Sequence, residues 1–221
     1  MRTVLDSADV FVVSEPVGPF AMNQYLVGCP RSGHAAIIDA GGNPTPFIEE
    51  ATRRGTRIVA ILQTHAHIDH VLGLPETRAA LPDVPIWLHP NEVPLYDGVV
   101  MQAQMFGLRA KPLPTVTNWI EKGDRIPVGA LRFECLLTPG HSPGHICFYE
   151  ATHEFVLGGD LLFQGSIGRT DLPGADPAMM RQSLRQIMTL PDETRVFPGH
   201  MRDTTIAQER RLNPFIEDAL S

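Results

Sequence analysis

Long hydrophobic runs are missing from this 221-residue chain. None reaches the ~18 apolar residues that a membrane span requires, and the N-terminal MRTVLDSADVFVVSEPVG has no apolar core followed by a cleavage site. Neither an anchor nor a secretory leader is expected. Cysteine is scarce: Cys29, Cys135 and Cys147 are odd in number, show no CxxC spacing and lie in apolar, strand-like contexts. That pattern argues against a disulfide framework and for a reducing cytoplasm. Basic clusters are absent as well. The net charge is -7 and the arginines gather no further than pairs such as Arg53-Arg54 and Arg210-Arg211, which excludes nucleic acid as the main partner. No repeat, low-complexity tract or linker interrupts the chain, and 43% hydrophobic against 19% charged residues excludes disorder. What remains is a soluble chain whose length suits one α/β domain over residues 1–221.

What is present is a recurrence of β-branched runs between turn signals: VFVVSEP, QYLVGC, HAAIIDAGG, RIVAILQT, VPIWLHP, LRFECLLTPG, HICFYEA, EFVLGGD and TRVFPGH. Between them the pattern predicts helices over 44–54, 70–82 with a kink at Pro75, 92–108, 176–190 and 204–220. Asp176 followed by Pro177 reads as an N-cap with proline in the first helical turn. The early runs form a meander before alternating with helices, and strands resume after residue 125. Two β-rich halves covered by helices fit this order better than one all-parallel sheet.

Four of these runs end in tight turns carrying metal-competent side chains. LQTHAHIDH supplies His65, His67, Asp69 and His70; LLTPGH supplies His141, VLGGD supplies Asp160 and VFPGH supplies His200. Unpaired polar groups are costly to bury, so their convergence at four strand ends calls for a shared cation. His65 and His67 point to the same side of an extended segment and can share one ion. If a helix begins near Ile68, Asp69 and His70 project from its first turn toward a second ion, ~3.5–4 Å from the first. Imidazole and carboxylate donors without thiolate suit two divalent metal ions, zinc first, with iron and manganese as alternatives. His145, four residues after His141 in TPGHSPGH, reads as support for a ligand rather than as a ligand, and His34, His89 and His153 read as ordinary hydrogen-bonded loop residues. Met101, Met105 and Phe106 share one helical face, which suits either core packing or an adaptable binding surface.

THAHIDH in its strand context, TPGHSPGH, GGDLLF and FPGH resemble the ordered metal motifs of the metallo-β-lactamase superfamily, over nearly the whole chain from NQYLVG to the final helix. Within that superfamily, GSIGRTDLPG and TTIAQERRLNPF are similar to the glyoxalase II-like thioester hydrolases in their short, bacterial-type form. The resemblance implies an α/β fold, a four-layer αββα sandwich with the site at one edge between the sheets. It implies His65, His67 and His141 as ligands of a first metal, Asp69, His70 and His200 as ligands of a second, and Asp160 as the bridge, with Asp69 and Asp160 also orienting the nucleophile. The implied reaction is hydrolysis of a small-molecule acyl thioester, S-lactoylglutathione or a related acyl-glutathione. Two cations sharing one water bring its pKa from ~15.7 toward neutrality, which supplies hydroxide at pH 7. One ion polarises the carbonyl and the other accepts the thiolate. A homodimer is compatible with this reading.

Departures from the pattern carry expectations too. Larger glyoxalase II enzymes add a C-terminal helical domain that helps grip glutathione, whereas this chain closes on one terminal helix, so recognition of glutathione is expected to be loose. Arg169 in GRTD stands where related enzymes place a cation that meets the substrate, and an arginine fork suits a carboxylate. An Arg169–Asp171 loop pair without a ligand is the competing reading. A persulfide dioxygenase of the same superfamily would hold one iron on the residues matching His65, His141 and Asp160, but its usual motif lacks a histidine at His145 and the Pro-Gly-His at 198–200. A lactonase would share TPGHSPGH. A non-catalytic metal-binding module would have lost a ligand, and RNA-processing members call for a basic surface and added domains.

Overall fold

The computed structural model describes residues 1–220. The first sheet holds β1 (Arg2–Asp6), β2 (Phe11–Val17), β3 (Met22–Cys29), β4 (His34–Ile38), β5 (Arg57–Leu62), β6 (Ile86–Leu88) and β7 (Asn118–Trp119), side by side in chain order. β1 to β4 form the expected antiparallel meander, and β4 to β7 run parallel. The second sheet holds β8 (Arg125–Val128), β9 (Leu131–Leu137), β10 (Ile146–Glu150), β11 (Phe155–Gly159), β14 (Arg195–Pro198) and β15 (Thr204–Thr205), with a small hairpin of β12 (Leu162–Phe163) and β13 (Ser166–Ile167) apart from it.

Alternation along the strands dictates the layers, because side chains on a strand point to opposite faces in turn. Val10, Val12, Tyr25, Val27, Ala36 and Ile38 face inward from the first sheet onto Phe133, Cys135, Phe148, Phe155, Leu157 and Phe197 of the second. Their neighbours Phe11, Val13, Leu26, Ala35 and Ile37 face outward, under α1 (Thr45–Arg53), α2 (Ile68–Val71), α3 (Leu74–Ala80), α4 (Val93–Asp97) and α5 (Val99–Met105). On the far side Cys147, Tyr149 and Val196 pack under α6 (Pro177–Ile187), α7 (Ile206–Leu212) and α8 (Pro214–Leu220). The result is the αββα sandwich. Full burial of each large side chain is worth ~1.5–3 kcal/mol, and a slip of one residue would turn a whole strand inside out.

Three predicted helices prove to be broken. The 70–82 stretch starts earlier and splits into α2 and α3. Pro75 lies in the first turn of α3, where its missing N–H costs nothing, so it does not kink a helix. The break falls at Leu72-Gly73, where Gly73 N leaves the helical ladder to donate to Ala40 O at 2.9 Å and the Gly42 backbone lies too close for any β-carbon. The 92–108 stretch becomes a 3₁₀ turn (Pro90–Glu92), α4 and α5, interrupted at Gly98. The terminal stretch is α7 and α8 rather than one helix, because Asn213 precedes Pro214 and is forced to an extended ψ of 114°. None of the helices among the described residues is long and apolar enough to cross a membrane.

Topology gathers the loops. β9 and β11 are both antiparallel to β10, and β14 is parallel to β11, so β9, β11 and β14 all point the same way. The turns that follow them leave the second sheet at one edge, where the turn after β5 meets them. The backbone ties the seam: Ile146 N donates to Thr64 O at 2.9 Å, Asn23 N to Gly199 O at 2.6 Å, and the Tyr25 hydroxyl to Pro198 O at 2.7 Å.

Candidate metal centre

At this edge the structure brings together every side chain that the four motifs supply. Donor atoms of His65, His67 and His141 form one group, and those of Asp69, His70 and His200 form another, all within 4.8 Å of one another in each group; His65, His70 and Asp160 make a third that joins the two. His67 Nδ1 and His141 Nε2 face each other at 2.8 Å, and His200 Nε2 lies 3.0 Å from Asp69 Oδ2. Asp160 sits between the groups, with Oδ2 3.5 Å from both His141 Nε2 and His200 Nε2 and Oδ1 3.4 Å from His70 Nε2. Helix α2 does begin at Ile68, and Asp69 and His70 project from its first turn, with the His70 ring still only 4.0 Å from that of His65.

Hydrogen bonds on the outer side of the rings decide which nitrogen carries the proton. Asp39 accepts from Thr64 N at 2.7 Å and from the Thr64 hydroxyl at 2.8 Å. With its proton committed to Asp39, Thr64 Oγ1 accepts from His65 Nδ1 at 2.9 Å. His70 Nδ1 donates to Asp39 Oδ2 at 2.9 Å, and His141 Nδ1 to the Arg169 carbonyl at 2.8 Å. The Nε2 atoms of His65, His70 and His141 therefore aim lone pairs into the cluster. His65 Nε2, His67 Nε2, His70 Nε2 and Asp160 Oδ1 are buried without a hydrogen-bond partner. Orphaned acceptors of this kind are what a cation satisfies, so the residues fit a pair of divalent ions.

The electrostatics agree. Burial and the neighbouring imidazoles depress His65 and His67, His67 to about 3, so both are neutral donors. Burial also opposes charge on His70 and His200, but nearby carboxylates, Asp160 and Asp69 among them, overcome it and raise both. Burial alone would raise the Asp160 carboxyl, yet the imidazoles of His70, His141 and His200 hold it well below the carboxylate range. The two carboxylates are ionised and draw positive charge beside them, which protons on His70 and His200 supply and a bound cation would displace.

His145 stands behind the cluster. Asp160 N donates to His145 Nε2 at 3.0 Å, which leaves the proton on Nδ1 for the Thr138 hydroxyl at 2.9 Å. Burial first, then His141, keeps this ring neutral. His34, His89 and His153 lie elsewhere: His34 beside Arg57, His89 capping the 3₁₀ turn, and His153 on Glu150. Gly199 is required in FPGH, because a β-carbon there would strike Asp160 Oδ1 and come within 2.8 Å of His70 Cε1.

Two organising residues were not anticipated. Asp39 adopts a positive φ of 55°, which turns its carboxylate toward Thr64 and His70; the acid closing the apolar AAIID run was its signal. Fully buried Glu92 accepts from Ala66 N at 2.7 Å and from Gly144 N at 2.6 Å, tying THAHIDH to TPGHSPGH. Burial raises its pKa. Nothing in its helical context advertises that role.

The cluster floors an open cleft of about 690 Å³. Met101, Met105 and Phe106 line it and are exposed, at 66%, 69% and 46%, so this face is a wall of the cleft and not core. Arg169 also lines it, with its fork closed on Asp171 at 2.6 and 2.7 Å.

Comparison with known proteins adds the family. The model described as the Metallo-beta-lactamase superfamily matches residues 17–200. The chain is 35% identical to hydroxyacylglutathione hydrolase GloC of Haemophilus influenzae, over 91% of this chain and 95% of the relative. Among solved structures it is similar to TTHA1623 in a di-iron-bound form, at 41% identity, a TM-score of 0.82 and coverage of 92% of this chain and 99% of the other. It is also similar to the BLEG-1 B3 metallo-beta-lactamase, at 32% identity, a TM-score of 0.85 and coverage of 93% and 99%. Fold, metal-competent cluster and sequence thus agree, and the chain belongs to the metallo-β-lactamase superfamily of metal-dependent hydrolases.

Proposed function

We propose that the protein hydrolyses acyl thioesters, S-lactoylglutathione or related acyl-glutathiones among them, with two divalent cations, zinc first, in a reducing cytoplasm. The observation that carries this reading is the pair of donor triads joined by one carboxylate at the floor of a cleft open to substrate. His65, His67 and His141 would hold one ion and Asp69, His70 and His200 the other, with Asp160 placed between the two groups. When bound, such ions supply Lewis acidity and make water nucleophilic near neutral pH. The chain's own residues do the rest. Asp39, Thr64 and the Arg169 carbonyl fix the imidazole tautomers, and His145 holds the backbone of Asp160 in place. Asp69 and Asp160 orient the attacking water. Water adds to the acyl carbon, the C–S bond breaks, and the thiolate leaves to take up a proton. The three unpaired, buried thiols accord with a reducing setting.

Metal analysis of protein purified without added metal, beside thiol-release and oxygen-uptake assays, tests the reading. Two equivalents of metal and thiol release that chelation abolishes reversibly are expected. Asp160→Ala is expected to weaken both ions and to lower hydrolysis by ~10³-fold or more with the fold retained, since the residue lies at the sheet edge. One iron with oxygen consumption would replace this reading with a dioxygenase, and full activity in metal-free protein would sink it.

A further inference from the structure

The cleft over the cluster is apolar on both sides. Phe20 and Phe106 meet edge to face at 5.3 Å and, with Met101 and Met105, form a hood on one wall. Phe163 and Leu172 lie on the other, and the Phe163 ring is 6.0 Å from that of His200, beside the cluster itself. Exposed apolar side chains gathered at one cleft are a binding surface, and methionine lets such a surface adapt to different shapes. Charge recognition is meagre in comparison. Arg169 is the one lysine or arginine among the described residues lining the cleft, and Asp171 occupies its fork. A substrate that relies on carboxylates for binding finds no unpaired lysine or arginine side chain among the described residues of the cleft.

Resting on the thioester reading, we infer that selectivity comes from this hood: the preferred substrate is a thioester with an apolar arm of at least medium chain length or aromatic size, bound across Phe20, Met101, Met105 and Phe106. The hood then contributes binding energy remote from the bond that breaks. Recognition then need not depend on the glutathione moiety.

The test separates binding from turnover. By calorimetry, the uncleavable thioether S-hexylglutathione is expected to bind at least tenfold more tightly than S-methylglutathione. The double variant Met101→Gln, Met105→Gln should shrink that ratio toward one; both side chains are exposed, so the fold is not at stake. In turnover, kcat/KM for S-hexanoylglutathione should exceed that for S-acetylglutathione by a similar factor, and S-hexyl thioacetate tests the same chain on the sulfur side. A gain from either placement, lost in the double variant, supports the inference and identifies the arm. Equal binding of the hexyl and methyl thioethers, or a hexyl preference untouched by the double variant, overturns it. Failure of the thioester reading is a different result: no thiol is released from any substrate, while the thioether preference stands.

Discussion

At the scale of single residues, the centre is a problem of proton placement. An imidazole has one proton in its neutral form, and whichever nitrogen holds it cannot be a ligand. Asp39 settles this for two histidines at once, directly for His70 and through the Thr64 hydroxyl for His65. The candidate ligands were legible in the sequence because four strand ends each announce one in a Gly-His, Gly-Asp or HxHxDH turn. Glu92 was not, since its partners are backbone N–H groups that only the folded chain brings to it. Glu92→Gln replaces one accepting oxygen by an amide that faces another donor. The expected outcome is a loss of ~1–3 kcal/mol in stability, read by denaturant unfolding, and metal affinity weaker by ~10-fold, read by titration with a competing chelator. Unchanged metal affinity would restrict Glu92 to a structural role. Arg169 poses a competition instead. If its fork can leave Asp171 for a substrate carboxylate, Asp171→Asn should lower KM for glutathione thioesters about threefold and Arg169→Ala should raise it, with kcat little changed, the pattern of altered uniform binding. A thioester without a carboxylate is the control, and equal effects on both substrates would mean that the pair only shapes the loop that accepts from His141.

At the scale of elements, the sequence pattern located strands and helices well and their interruptions poorly. Alternation over VFVV, YLV and HAAII is strong because one face must meet the other sheet and one the helices. The break at Gly73 lies against the Gly42 backbone, that at Gly98 falls on a poor helix former, and that at Asn213 precedes a proline, and helical periodicity runs through such positions unmarked. Two-residue strands such as β7, β12, β13 and β15 are too short to show any period. The cap on α6 was legible, because its chemistry is local: Asp176 Oδ1 accepts from Ala178 N at 2.7 Å and Met179 N at 3.1 Å, with Pro177 in the first turn. This helix also props a metal turn, for the Ser183 hydroxyl donates to Pro139 O at 2.6 Å just before His141. Asp176→Ala is expected to cost ~1 kcal/mol in thermal or denaturant unfolding. Metal stoichiometry should be unchanged, because α6 remains packed through Met180, Leu184 and Ile187. Loss of bound metal in this variant would show that the cap, and not the packing, holds the turn.

At the scale of the whole molecule, the centre spans the seam of the sandwich. His65, His67, Asp69 and His70 come from the turn after β5 in the first sheet, while His141, Asp160 and His200 come from turns leaving the second. Each donor triad draws on both sides, so ions bound there cross-link two halves otherwise held by the apolar inter-sheet core and a few hydrogen bonds along the seam. Ligands that bind the folded chain and not the unfolded one stabilise it by mass action, ~2.7 kcal/mol per site at a free concentration 100 times Kd. For a chain of this length ~1 kcal/mol moves Tm by ~2–4 °C, so filling one such site should raise Tm by roughly 5–11 °C over metal-free protein. Scanning calorimetry across a series of free zinc concentrations measures this, and the rise should continue with concentration as mass action requires. In Asp160→Ala the increment should largely vanish, because the carboxylate that reaches both groups is gone, while metal-free Tm should fall by a few degrees at neutral pH, since the imidazoles that hold this carboxyl ionised lose their counter-charge. Identical Tm with and without metal would mean that the donors converge without binding, and an undiminished increment in Asp160→Ala would show that each triad holds its ion without the bridge.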